Sequence, residues 1–249
     1  MMNNTLYSNL KDLWYASQNH SISLLRAENA TRIPWIVKQV TRHFWNKAHI
    51  LDVGCGAGWL SNSLALHGYE ITGVDSTPSN LNIALKHDAT RGVKYLIADP
   101  ERLPFPDASF DVVCAMDILE HVQDPHQIIK EASRTLKPGG LFLFHTYNRN
   151  LLTYLFAIQC MNWFVRNAPR NKHLHHRFIK PKELIKMCHQ YELKIDHMLG
   201  FQPCIWSSAF WKLLKTRIIP ADLEFTFCNS LSMGYSGAAK KDRNHRLAK

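Results

Sequence analysis

The sequence predicts an α/β fold: a doubly wound, mostly parallel seven-stranded sheet with an antiparallel last strand. Three observations carry this. From His49 onward, short apolar runs alternate with stretches of helical periodicity, the pattern of strands linked by crossover helices. A glycine-rich turn, Gly54-Cys55-Gly56-Ala57-Gly58, stands where the first apolar run meets the first helical one, the place where such sheets bind ligands. The 249 residues are 46% hydrophobic and 20% charged, which suits one domain with a sizeable core and some additions.

Residues 1–40 read as an N-terminal helical lid and 41–249 as the main domain. Ile50 to Val53 is the first strand, followed by a helix from Trp59 to His67 that Gly68 closes. Ile71 to Val74 is the second strand. Ser76-Thr77-Pro78 then supplies an N-cap and an N1 proline for a helix running toward His87. Val93 to Ala98 and Phe110 to Met116 are the third and fourth strands. Gln127 to Leu136 is an amphipathic helix with Ile128, Ile129, Ala132 and Leu136 on one face, ended by Lys137-Pro138-Gly139-Gly140. Leu141 to Thr146 is the fifth strand, and every connection to this point suits right-handed crossovers. A helical insert at about 148–180 follows, with an apolar stretch from Leu151 to Val165 and a His- and Arg-rich loop. Pro181 starts another helix, Leu193 to Leu199 is a sixth strand, a helical patch surrounds Trp211, and a last strand falls within Leu231 to Ala239.

Composition narrows the partners. The net charge of +10 admits nucleic acid, an anionic membrane surface or an anionic substrate. The excess is concentrated in the second half, from Arg149 to Lys186 and in the tail beyond Lys240. Trp163, Phe164 and Phe178 interleave with these cations, yet no recognisable RNA-binding module accompanies them and the apolar run suits lipid better than bases. The six cysteines are scattered, with neither a C-x-x-C pair for zinc nor a dense disulfide framework. Residues 1–18 are polar and lack the basic-then-apolar order of a secretory signal, and no run is long and apolar enough to span a bilayer. The expectation is a cytoplasmic protein, peripheral to the inner face of the membrane.

The glycine turn can be read further. A dinucleotide fingerprint, G-x-G-x-x-G, would place its third glycine at Trp59, where indole would block close helix-to-strand packing. The spacing here is Gly54, Gly56, Gly58, preceded by Asp52, whose carboxylate could bind the ammonium of an amino-acid moiety. Asp75 ends the second strand, placed for the hydroxyls of a ribose. Asp99 ends the third, placed for an adenine amino group, and Met116 ends the fourth, placed to pack on the ring. The set fits S-adenosylmethionine better than a pyrophosphate.

Asp52 to Gly58, Asp75, Leu103-Pro104-Phe105-Pro106 with Phe110-Asp111-Val112-Val113, Leu119-Glu120-His121-Val122 and Leu136-Lys137-Pro138-Gly139-Gly140 together resemble the core of the class I S-adenosylmethionine-dependent methyltransferases, whose sheet is the Rossmann-like methyltransferase fold. The resemblance covers residues 49 to 147. Beyond it, Asn148-Arg149-Asn150, His173 and Arg177-Phe178-Ile179-Lys180-Pro181-Lys182-Glu183-Leu184 resemble the ubiquinone-pathway O-methyltransferases. That family implies methylation of a phenolic or catechol hydroxyl on a lipophilic polyprenyl acceptor. It follows its fourth strand with an acid, two residues, then Glu-His, here Asp117, Glu120 and His121. On a helix these would share one face, and the resemblance makes them candidate ligands of a divalent cation such as Mg2+. The same Leu-Glu-His-Val occurs in metal-free methyltransferases, so the alternative stands that His121 acts as a general base. Arg32, in a segment reminiscent of the family's N-terminal lid, is the expected contact for the cofactor carboxylate. The chain departs from the family in the Trp206 to Ile219 patch before its last strand.

Overall fold

The computed structural model describes residues 13–16, 22–44, 47–155, 175–216 and 218–243. Its strands are β1 (His49–Val53), β2 (Glu70–Asp75), β3 (Lys94–Ile97), β4 (Phe110–Met116), β5 (Leu136–Tyr147), β6 (Leu193–Pro203), β7 (Phe225–Cys228) and β8 (Gly234–Lys241). They form one sheet in the order β3-β2-β1-β4-β5-β8-β6-β7. The first five are parallel. Strand β8 runs antiparallel to both β5 and β6, and β7 antiparallel to β6. The sheet is therefore the expected one widened by an eighth strand, β7, whose Phe225 stacks on Phe201 of β6 with ring centroids 5.2 Å apart.

Helices cover both faces. On one side α2 (Ile22–His43) and α3 (Trp59–Leu66) bury Trp35, Ile36, Val40, Leu60 and Leu64 against Ile50, Ile71 and Val112. On the other, α5 (Pro125–Thr135) and α7 (Pro181–Gln190) bury Ile128, Ile129, Ala132, Leu184 and Cys188 against Val113, Phe142 and Phe144. The apolar spacing seen in the sequence thus faces the sheet. Helix α5 begins two residues earlier than expected because Asp124 caps it, accepting from His126 N at 2.9 Å, with Pro125 in the first position. The Lys137-Pro138-Gly139-Gly140 stop falls inside β5, where a register shift between Phe110 and Val112 of β4 accommodates it.

Two short helices, α1 (Leu13–Ala16) and α4 (Pro78–Lys86), lie near the glycine turn, and α6 (Leu151–Thr153) and α8 (Ser208–Thr216) follow β5 and β6. Trp14 packs edge-on against Trp59 at 5.5 Å, and Tyr15 donates its hydroxyl to Ala57 O at 3.0 Å. Of the insert at 148–180, residues 156–174 lie outside the described residues, and most of the Leu151 to Val165 run with them. Among the described residues no helix is long and apolar enough to cross a membrane.

Candidate active site

The site is built where β1, β2 and β4 end. Gly54 has φ +72°, and a Cβ there would come within 2.7 Å of Ile118 Cδ1. Gly58, at φ +80°, caps α3 in the left-handed region, and its Cβ would lie 2.7 Å from Ala84 Cβ and meet the Tyr95 hydroxyl. Only glycine fits either position without strain. The turn is fastened to the next strand: Asp75 Oδ2 accepts from Gly56 N at 3.0 Å and Oδ1 from Thr77 N at 2.8 Å. Partial burial raises the Asp75 carboxyl above its ordinary value. Asn80 Nδ2 also reaches Oδ1, at 3.4 Å, and the Thr77 side chain bonds the same carboxylate, so most of its about four lone-pair positions already serve the loop.

Asp52 is buried at 2% exposure and accepts from Ser61 Oγ at 2.6 Å. Burial pushes its carboxyl up to about 6. It braces the start of α3 from inside the sheet, a role the sequence reading did not give it. Asp99 is exposed beyond β3 and accepts from Glu101 N at 3.0 Å, and Met116 is half-buried at the end of β4.

The sequence missed a buried polar network beside these groups. Arg32 of α2 is fully buried, donating from Nη1 to Asp117 Oδ1 at 2.6 Å and from Nη2 to Asn29 Oδ1 at 3.2 Å, with Glu28 Oε2 3.5 Å from Nη2. Its guanidinium lies over the Phe201 ring, 5.6 Å from the centroid. Tyr147 donates to Glu28 at 2.7 Å, and His145 pairs through Nδ1 with Ser236 Oγ at 2.8 Å while its Nε2 stands 3.7 Å from Asp117. Burial opposes ionisation of Asp117, but Arg32 outweighs it and holds the carboxyl below its ordinary range. Burial, with Arg32 adding to it, pushes His145 down to about 3, so this imidazole stays neutral. No sequence periodicity marks such pairs, because they join α2 to strand ends more than 80 residues away.

The helical face expected to gather Asp117, Glu120 and His121 does not form. Asp117 has φ +56° and residues 117 to 123 make turns and bends, so the i, i+3, i+4 spacing does not converge. Asp117 turns to Arg32, and Glu120 accepts from Thr146 Oγ1 at 2.8 Å. Desolvation, then Asp117, push Glu120 up to about 8, a protonated carboxyl at neutral pH. Among the described residues no group of three His, Cys, Asp or Glu side chains is placed to hold a metal ion. A hard divalent cation wants several ionised oxygens, and the one ionised carboxylate here already carries a guanidinium. These residues do not fit Mg2+. His121 is half-buried, its imidazole lowered chiefly by burial, with Asp117 opposing and Arg177 adding to that.

A methyltransferase-domain family model matches residues 51–144. A ubiquinone biosynthesis O-methyltransferase from Bordetella bronchiseptica is 37% identical over 199 residues, 79% of this chain and 81% of the relative. One from Coxiella burnetii is 34% identical over 196 residues, 78% and 82% of the two chains. The chain belongs to the class I S-adenosylmethionine-dependent methyltransferases. A solved SAM-dependent methyltransferase from Methanosarcina mazei shares the methyltransferase's fold, with a TM-score of 0.59 over 82% of this chain and 97% of that one at 20% identity. The glycine turn of the methyltransferase suits S-adenosylmethionine: Gly54, Gly56 and Gly58 all hold positive φ at the end of β1, and a Cβ at Gly56 would meet only Trp14, at 3.5 Å.

Proposed function

We propose that this methyltransferase methylates a phenolic or catechol hydroxyl on a lipophilic, polyprenyl-bearing small molecule. The acceptor class comes from its relatives, whose name is ubiquinone biosynthesis O-methyltransferase. The observation that supports a metal-free route is a neutral, half-buried His121 within reach of the ionised Asp117 charge at the end of β4.

Gly54, Gly56 and Gly58 would admit the cofactor's backbone-facing side, Asp75 its ribose, and Asp99 and Met116 its adenine. Asp52 would act through Ser61 to fix the turn. The bound cofactor supplies an activated methyl on sulfur. What remains is to orient the hydroxyl and remove its proton. His121 takes that proton at an imidazole nitrogen, and Asp117 stabilises the imidazolium that results. Arg32 holds Asp117 ionised for this. Residues 1–40 act as a lid, a reading supported by Trp14 against Trp59 and Tyr15 on Ala57.

The test is methyl transfer by purified protein to a catechol bearing a short polyprenyl tail, with product mass and fragmentation locating the methyl on oxygen. The tailed catechol should be methylated at least tenfold faster than an amine of similar size. Preference for the amine would overturn the reading.

A further inference from the structure

A buried asparagine stands beside Asp75 with half of its amide unused. Asn80 lies in the first turn of α4, among the buried residues of that helix, Leu81, Ile83 and Ala84, and is itself 4% exposed. Asparagine is a poor helix former, and a buried amide is unfavourable unless its polar atoms are bonded. Its Nδ2 donates to Asp75 Oδ1 at 3.4 Å, long for such a bond. Its Oδ1 is buried and, among the described residues, accepts no hydrogen bond. An apolar side chain would fill the place without leaving an acceptor unpaired, so packing alone does not account for the amide.

The orientation of the amide follows from Asp75. An ionised carboxylate only accepts, so the NH2 group faces it and the carbonyl oxygen, on the same carbon, stays beside it. Asp75 in turn holds Gly56 N through Oδ2, and a Cβ at Gly56 would meet only Trp14. Asn80, Asp75 and the glycine turn are therefore one connected cluster. A ribose brings two neighbouring hydroxyls, and each needs an acceptor. Gly56 N, Thr77 with its backbone and side chain, and Asn80 Nδ2 already occupy most of the Asp75 lone pairs. Both lone pairs of Asn80 Oδ1 are free among the described residues.

We propose that Asn80 is a second ribose-binding residue, whose Oδ1 accepts from one hydroxyl of the cofactor's sugar while Asp75 accepts from the other. The inference rests on the placement of the ribose at Asp75 given above. Because Oδ1 is already out of water, bonding a hydroxyl there requires no further desolvation of the protein, and the bond contributes to affinity undiminished.

The experiment is calorimetry with the demethylated cofactor, S-adenosylhomocysteine, and with its 2′-deoxy and 3′-deoxy analogues, and it needs no acceptor. The parent protein should bind each deoxy compound roughly tenfold more weakly than the full ribose. Asn80→Leu, similar in volume, should lose the penalty for one deoxy sugar and keep it for the other, which Asp75 still reads. Asn80→Ala, which leaves more room, should show the same pattern. Each penalty is a ratio within one protein, so a change in stability from a merely structural role does not move it. A parent indifferent to both deoxy sugars would remove the ribose from Asp75, and this proposal with it. A parent that discriminates, with both penalties intact in both variants, would leave Asp75 in place and overturn the role of Asn80 alone.

Discussion

Single side chains in this site do two jobs at once. Asp75 holds the glycine turn through Gly56 and Thr77 and is the proposed ribose ligand. Asp75→Ala should weaken cofactor binding by the worth of one or two charge-assisted hydrogen bonds, each about 1.5–3 kcal/mol, read by calorimetry against the demethylated cofactor product. Equal affinities would remove Asp75 from the site. His121→Ala should lower turnover by roughly 10² to 10⁴ with cofactor affinity preserved, since a general base acts in the transition state. Chelation with EDTA should leave parent turnover unchanged if His121 works without a cation, and restoration of lost activity by magnesium would refute that route. At this scale the positions of the glycine turn after β1, of Asp75 at the end of β2 and of Met116 at the end of β4 were legible, because the turn's spacing and the strand ends place them, while their contacts with the cofactor stand as proposals. Arg32 was marked for the cofactor, and its ion pair with Asp117 was not foreseen: the sequence cannot show that a left-handed Asp117 turns its carboxylate toward α2.

Among elements, α3 depends most on one backbone position. Gly58 sits at φ +80° against Ala84, so Gly58→Ala should destabilise the protein by about 1–3 kcal/mol, seen as a lower denaturation midpoint in urea. A midpoint within error of the parent would mean that the turn relaxes freely. The strands and helices of residues 49–147 were readable because period-2 and period-3.6 patterns alternate cleanly there. Strand β7, Phe225–Cys228, was missed because, unlike the equally short β3, it falls outside the regular strand-helix alternation of residues 49–147 that lends a four-residue run its meaning. The expected Asp117 to His121 helical face failed for a related reason. Five residues can match a helical spacing without forming a helix.

Across the whole molecule, buried carboxyls set the response to pH. Glu28 is raised to about 7 and Glu120 to about 8, in each case first by desolvation. The native state therefore keeps protons that the unfolded chain releases above its ordinary carboxyl range. Stability from these groups is fully present below about 4.5 and is lost, by ~1.4 kcal/mol per pH unit for each retained proton, as pH rises from there to about 7 for Glu28 and about 8 for Glu120, and is level above that. Lowered His145 acts the other way, costing stability as pH falls below its ordinary range near 6.5. Melting temperature of the ligand-free protein should fall between pH 6.5 and 8, above the range in which His145 acts the other way. Glu120→Gln, which keeps an acceptor for Thr146, should flatten that fall. A parent curve level across the interval would show that Glu120 is ionised in the native state.

The place of β8 has a consequence for how the chain is made. It lies between β5 and β6, though it is the last strand of the sequence. During synthesis β1 to β5 can assemble as soon as they leave the ribosome, while β6 and β7 have no seat until residues 234–241 emerge. The nascent enzyme then carries an unsatisfied β5 edge and a free β6-β7 hairpin, the kind of exposed strand that chaperones bind and that aggregation exploits. One late strand thus ends that vulnerable interval, by filling the gap between the two halves of the sheet.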